Sequence, residues 1–276
     1  MFENKISKID VRYQSYYYEG TGYKVGNNAI YNQYQMPVTD MKRIPKKKRD
    51  YAYLGMAMAL VEKKLPETNT YEIVNAIDKK YRRFFYPLLG KEIMKRNEDI
   101  KKTIVFIESL STDEKEGIYR GLGLTLFDRA DFDITKFDKM ISPFPESSRV
   151  FLYEAAGEII GFIYRNSIKK LHEIPNQLSE PDKQSIFKGI GRFAAERYGF
   201  DPVNCNAFIN AMPSQYNIFC YEGLGKQIAF RFGGDLEGAN SIIDKSSPEI
   251  QPFIKKGFSE EMNILNIEES LVHAEK

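Results

Sequence analysis

Apolar and polar positions repeat along this chain with a period far longer than one helical turn. A short phrase, aromatic-x-Gly-x-Gly or a close variant, returns about every 34 residues from one end to the other, which marks an array of one supersecondary unit. With the last small residue of each copy as its anchor, the positions are Gly22, Ala57, Gly90, Gly123, Gly157, Gly191, Gly225 and Ser259. On a helical wheel of about 100° per residue, the positions five and one before the anchor and three after it share one apolar stripe. These are Ile118, Leu122 and Leu126 in the fourth copy and Cys220, Leu224 and Ile228 in the seventh. The aromatic four before the anchor borders that stripe. The positions three before and one after it are mostly polar and point away, as in Glu154 and Glu158, Lys188 and Arg192, Glu222 and Lys226.

Two glycines so close together ordinarily mark a loop. Here strong helix formers follow them, as in Arg192-Phe193-Ala194-Ala195-Glu196-Arg197, and helix-start signals precede several copies. Ser111-Thr112-Asp113-Glu114 fits a capping box; Ser179-Glu180-Pro181 and Ser247-Pro248-Glu249 place proline in a first turn. The phrase therefore reads as helix, with its two small residues on opposite flanks. A helical glycine costs about 1 kcal/mol against alanine. Its recurrence at Gly22, Gly55, Gly90, Gly121, Gly123, Gly157, Gly189, Gly191, Gly223 and Gly225 implies that neighbouring helices come close on both sides. A phosphate cradle is excluded, because a dinucleotide fingerprint needs a preceding strand and a longer glycine spacing.

Between phrases lies a shorter helical segment opened by aspartate: Asp133 before Ile134–Ile141, Asp201-Pro202 before Val203–Ala211, Asp235 before Leu236–Lys245. The expected fold is all-α, an α-solenoid of about eight αα-hairpin repeats of about 34 residues. It fills residues 1–276 as a single domain, with 265–276 as a C-terminal cap or tail. Two copies depart. Pro87 requires the third helix to kink or to start there, and Gly26-Asn27-Asn28 predicts an early stop in the first. The tyrosine-rich stretch around Tyr13, Tyr16 and Tyr17 reads as a terminal cap, and the aromatic of each phrase as core.

Eight such units account for nearly all 276 residues and leave no room for a separate catalytic domain. No apolar run is long enough for a transmembrane helix. Met1–Lys5 lacks the apolar core of a secretory signal. A net charge of +2 does not argue for a nucleic-acid or membrane partner. Cys205 and Cys220 fit no zinc spacing and read as reduced core residues of a cytoplasmic protein. His172 and His273 are the only histidines, which argues against a metal site and a serine or cysteine triad. No metal, cofactor or catalytic residue is expected, and a non-enzymatic role is favoured. One charge run, Lys42 to Arg49, breaks the pattern; its Lys46, Lys47, Lys48 and Arg49 form either a solvated turn or an anion contact.

The phrases Ile186-Phe187-Lys188-Gly189-Ile190-Gly191-Arg192 and Ile118-Tyr119-Arg120-Gly121-Leu122-Gly123-Leu124 resemble those of a bacterial family associated with enediyne biosynthesis clusters. That family has no known biochemical role. Its members are built of similar units, with stretches of the type Phe-x-x-Gly-Leu-Gly-Arg and Trp-x-Gly-Val-Gly-Leu. The chain departs in having no tryptophan. The resemblance implies an accessory factor or enzyme in specialised-metabolite biosynthesis and carries over no catalytic residue.

The first functional expectation is a binding or scaffolding array for another protein. Its surface would be built from Glu154, Glu158, Lys188, Arg192, Glu222 and Lys226, with Glu154 and Glu158 on a solvated face. On that reading, removing the charges of Lys188 and Arg192 weakens a partner. A small-molecule ligand is the second partner class. A nucleic acid, resting on the Lys42–Arg49 run, ranks last, because the repeated polar positions change sign between copies and form no base-reading code.

Overall fold

A computed structural model describes residues 10–31, 41–62, 74–96, 99–173 and 178–264. Every regular element among them is helical. In chain order the α-helices are α1 (Val11–Tyr31), α2 (Arg49–Glu62), α3 (Tyr86–Arg96), α4 (Ile100–Glu108), α5 (Thr112–Arg129), α6 (Ile134–Ile141), α7 (Glu146–Tyr164), α8 (Ile168–Glu173), α9 (Glu180–Arg197), α10 (Pro202–Asn210), α11 (Asn217–Phe232), α12 (Leu236–Ile243) and α13 (Gln251–Ile264). Short 3-10 turns at Lys46–Lys48, Lys79–Phe84 and Ser214–Tyr216 lead into α2, α3 and α11. The long helices carry the glycine phrases. The short helices α4, α6, α10 and α12 open at Asp99, Asp133, Asp201 and Asp235, whose carboxylates accept backbone N–H groups of the first turn.

Successive long helices pack side by side, α1 on α2, then α3, α5, α7, α9, α11 and α13 in a row. One rule governs each seam. The anchor glycine of one helix lies on the carbonyl five residues before the anchor of the next: Gly22 on Ala52, Gly90 on Ile118, Gly157 on Ile186, Gly191 on Cys220, Gly225 on Ile254. The glycine two before the anchor of that next helix lies on the carbonyl three before the anchor of the first: Gly55 on Glu19, Gly121 on Pro87, Gly189 on Glu154, Gly223 on Lys188, Gly257 on Glu222. A methyl group at any of these would overlap the facing carbonyl. The approach brings glycine Cα–H groups onto carbonyl oxygens, a weak contact repeated many times. The α5–α7 seam is looser, with Ala155 at its second position and Gly123 on Leu152. Between α2 and α3 the rule lapses, because Ala57 and Leu88 stand at the seam positions. There α2 packs on the Lys79–Phe84 turn, with Tyr53 and Tyr81 stacked at 4.0 Å between ring centroids and Arg83 paired with Asp50.

The apolar stripe faces the short helices and forms one continuous core with them. The phrase tyrosines pin the two layers together. Tyr119 donates its hydroxyl to Glu108 of α4 at 2.6 Å, Tyr153 to Asp138 of α6, and Tyr221 to Asn206 and Asn210 of α10. Their rings are core, as the sequence predicts, while their hydroxyls end on side chains of the short helix before them.

The row also curls until its start meets its later turns. Arg12 of α1 pairs with Asp201 at 2.9 Å, Tyr51 of α2 donates to Asp235 at 3.1 Å, and Phe84 packs edge-on against Phe230. Curling encloses the side of the long helices opposite the apolar stripe. This corrects the expectation of a solvated polar face. Glu154, Arg192, Glu222 and Lys226 are buried, and Glu158 and Lys188 are half-buried. Three smaller corrections follow from packing. α1 continues past Gly26 to Tyr31, because Gly26 serves a close approach to Met56 and Ala59 of α2. The last long helix starts at Gln251, after turns at Pro248–Ile250. α12 ends at Ile243, so Lys245 lies beyond it. Pro87 sits in the first turn of α3, where its missing N–H is harmless. Cys205 and Cys220 are buried free thiols; burial pushes Cys205 up to about 12 and Cys220 upward as well. The expectations for Met1–Lys5, His273 and the tail from Leu265 lie outside the described residues.

Gly20 supplies an internal control, since nothing lies within 4 Å of a side chain placed there. G20A should stabilise the fold by about 0.5–1 kcal/mol through helix propensity. G189A and G223A should each destabilise it by about 2 kcal/mol or more through overlap with a facing carbonyl. Urea unfolding of the three variants checks this, and equal effects would refute the seam.

Candidate functional site

The buried polar side of the long helices gathers side chains from five of them. Arg192 of α9 is the hub and is fully enclosed. Its guanidinium bonds Glu261 of α13, stands 3.4 Å from Glu154 of α7 and 3.5 Å from Glu116 of α5, and reaches Gln227 of α11 at 3.3 Å. Lys226 of α11 donates to Glu154 at 2.7 Å. A second layer lies alongside. Lys188 pairs with Glu222 at 2.9 Å and with Glu260 at 3.5 Å, and Lys256 also bonds Glu222. Arg120 pairs with Glu158 at 2.7 Å and lies over the Phe230 ring. All six polar positions picked from the phrases belong to these two layers.

In the inner layer three carboxylates (Glu116, Glu154, Glu261) share two cations (Arg192, Lys226). Their titrations divide accordingly. Burial pushes Glu116 up to about 8, and the neighbouring Glu261 adds to that; Lys226 and Arg192 only partly oppose it. Neither Glu116 oxygen accepts a hydrogen bond. Burial alone would raise Glu154 too, but Lys226 and Arg192 outweigh it and hold that carboxyl near 2. The cluster therefore keeps a proton on Glu116 at neutral pH while Glu154 stays ionised.

A proton-retaining carboxyl beside a guanidinium is the raw material of general-acid chemistry. Glu116 lines neither of two grooves on the described surface, of about 480 and 380 Å³. What the cluster does by its geometry is tie copies together. Arg192 reaches two copies back to Glu116 and two forward to Glu261.

The basic run stands apart from this cluster. Lys46 and Lys47 are exposed. Lys48 bonds Asp235, and Arg49 closes its own turn by donating to the carbonyls of Ile44 at 3.0 Å and Lys42 at 2.9 Å. Arg82 repeats that closure one copy later on Ile77 and Asn75. Of the two readings left open for this run, Arg49 fits the turn, and Lys48 is engaged by a distant aspartate. His172 reaches the Ala211 carbonyl at 3.0 Å, and no group of metal-ligating side chains gathers among the described residues.

Glu116, Glu261 and Arg231 were missed. Glu116 lies seven before its anchor, on the face shared by the positions three before and one after it, so a wheel extended by one turn would have found it. Arg231 pairs with Glu19 of α1 and with Glu196 at 3.2 Å, an encounter set by curling that the repeat itself does not encode.

Stability should peak in mildly acidic solution. Between the ordinary glutamate value of 4.5 and about 8, native Glu116 holds a proton that the unfolded chain has released, so raising pH favours unfolding. Below 4.5 the unfolded chain takes up a proton that native Glu154 refuses down to about 2, so acidification favours unfolding too. E116Q should remove the alkaline decline and keep the acid one, exceeding the wild type by on the order of 5 kcal/mol above about pH 8. R192A, which leaves buried carboxylates unpaired, should lose about 3–5 kcal/mol at neutral pH. Denaturant midpoints across pH measure both, and parallel pH profiles for wild type and E116Q would contradict the assignment.

No protein-family model, no curated protein and no solved structure matches this chain.

Proposed function

We propose that the chain is a non-enzymatic helical-repeat protein, a curled α-solenoid of eight units of about 34 residues, that binds or scaffolds another protein. The observation that carries this reading is where the charges went. The recurring polar positions pair with one another inside the array, so the surface left for recognition is the rim of turns, short helices and long-helix ends. That rim displays apolar side chains, Phe132, Phe162 and Ile163 among them, beside charged ones. Lys188 and Arg192 are not that surface, and substituting them tests folding and not binding.

Accessory work in specialised-metabolite biosynthesis is the second reading. The glycine phrases and the raised carboxyl of Glu116 favour it. The nucleic-acid reading loses ground with Lys48 and Arg49 engaged in the fold. We place the protein in the cytoplasm on its two free thiols; no described helix is long and apolar enough to cross a membrane.

Native mass spectrometry of the protein gently purified from its own host tests the choice. The expected result is a stoichiometric protein companion. A retained small molecule with no companion would sink the scaffold reading in favour of the second.

A further inference from the structure

We propose that the groove between the Ala130–Asp133 turn and the end of α7 seats a helix of a protein partner. That helix presents a basic residue and, one turn later, an aromatic ring. The inference rests on the protein-binding reading and adds the place and the chemistry of the contact.

The argument is internal to the chain, because the same turn occurs elsewhere with its helix in place. After α5, Asp131 and Phe132 adopt φ of 56° and 59°; after α9, Gly199 and Phe200 both adopt 58°. Each pair of left-handed residues delivers an aspartate that caps the next short helix, Asp133 for α6 and Asp201 for α10. The turns differ in cover. Phe200 is 1% exposed and Phe132 is 42% exposed. What covers the second turn is α11 together with α1: Phe200 packs edge-on against Phe232 at 4.9 Å with Arg231 over its ring, and α1 lies across the aspartate. Arg12 puts its guanidinium on Asp201 Oδ2 while Oδ1 keeps the cap, and Tyr16, four residues on, sits beside Gly199 with its ring under Arg231 at 4.5 Å. The aspartate-capped turn before α12 is covered similarly: Asp235 Oδ2 takes Lys48 and the Tyr51 hydroxyl while Oδ1 caps α12. Two turns therefore accept a donor from a helix end seated across them, and an aromatic ring lies beside each.

At the first turn, among the described residues, no helix crosses. A groove of about 480 Å³ remains, with Phe132, Ile160 and Tyr164 as its apolar wall and Asp133, Glu173 and Lys170 at its rim. Asp133 is exposed, in the position where Asp201 meets Arg12. One difference refines the occupant. Glu19 of α1, seven residues after Arg12, bonds Arg231, which lies six after its anchor. α7 carries Ile163 at that register position. The partner helix should accordingly read basic, aromatic four residues on, apolar seven on.

A fluorescent peptide copying residues 10–24 with E19L is the probe, titrated against the full-length protein by anisotropy. Binding is expected, weakened tenfold or more by D133N and by F132A, and unchanged by D201N or K46A. Asparagine caps a helix as well as aspartate, so D133N removes the charge and keeps α6. A peptide that does not bind, or binds D133N and F132A as well as wild type, overturns the proposal. So does loss of binding in D201N alone, which would mean exchange with α1, and so does a dimer of the protein itself that D133N dissolves. Native mass spectrometry separates the two levels. A companion protein still held by the D133N/F132A double variant refutes this groove and leaves the binding reading standing. A wild-type chain with no protein companion removes the binding reading itself.

Discussion

The contact of glycine with a neighbouring carbonyl sets the geometry on which everything else depends. Helices separated by ordinary side chains stand about 8–10 Å apart. Here the α1–α2, α3–α5, α7–α9, α9–α11 and α11–α13 seams each replace two side chains with hydrogen atoms, one from either helix, so backbone meets backbone. Such close spacing has two results. The apolar stripes merge into a single core with the short helices. The opposite faces are brought together so tightly that charged side chains on helices two copies apart touch.

The buried charges are a poor source of net stability, since the desolvation of each ion offsets much of its attraction. Their effect is on register. Glu154 is matched to Lys226 and Arg192, and Glu222 to Lys188 and Lys256. A slip of one helix along its neighbour would place like charges together or strand one unpaired in the interior, a penalty of several kcal/mol. The seam alone cannot enforce this, because the seams from α7 to α13 all obey the same rule. Glycines decide how close the helices come, and charges decide which helix is whose neighbour.

Local physics made much of the fold legible. The period, the helical nature of the glycine phrases, the aspartate caps and the core tyrosines all follow from contacts within one unit or between adjacent ones. Misreadings came from contacts between distant units. Glu154 and Arg192 look solvent-facing on a wheel because a wheel knows only one helix and its partner. Gly26 looks like a stop until Met56 and Ala59 are set against it. Arg49 looks like part of an anion patch until its guanidinium is seen closing its own turn. The Asp133 groove could not be read at all, since Asp133 and Asp201 are alike in sequence and differ in whether α1 returns to cover them.

The reach of Arg192 has a consequence for chain length. Its guanidinium touches the fourth copy and the eighth from its place in the sixth, and with Glu116 protonated its charge is met by Glu154 of the fifth copy and Glu261 of the eighth. Most stacked arrays tolerate the gain or loss of a unit, because each contacts only its neighbours. This one carries an internal tally. A chain truncated before α13 would bury a cation with one carboxylate too few, and a chain with a unit inserted between α9 and α13 would pull Glu261 out of reach. The number of units between α7 and α13 is held by charge arithmetic as well as by helix packing.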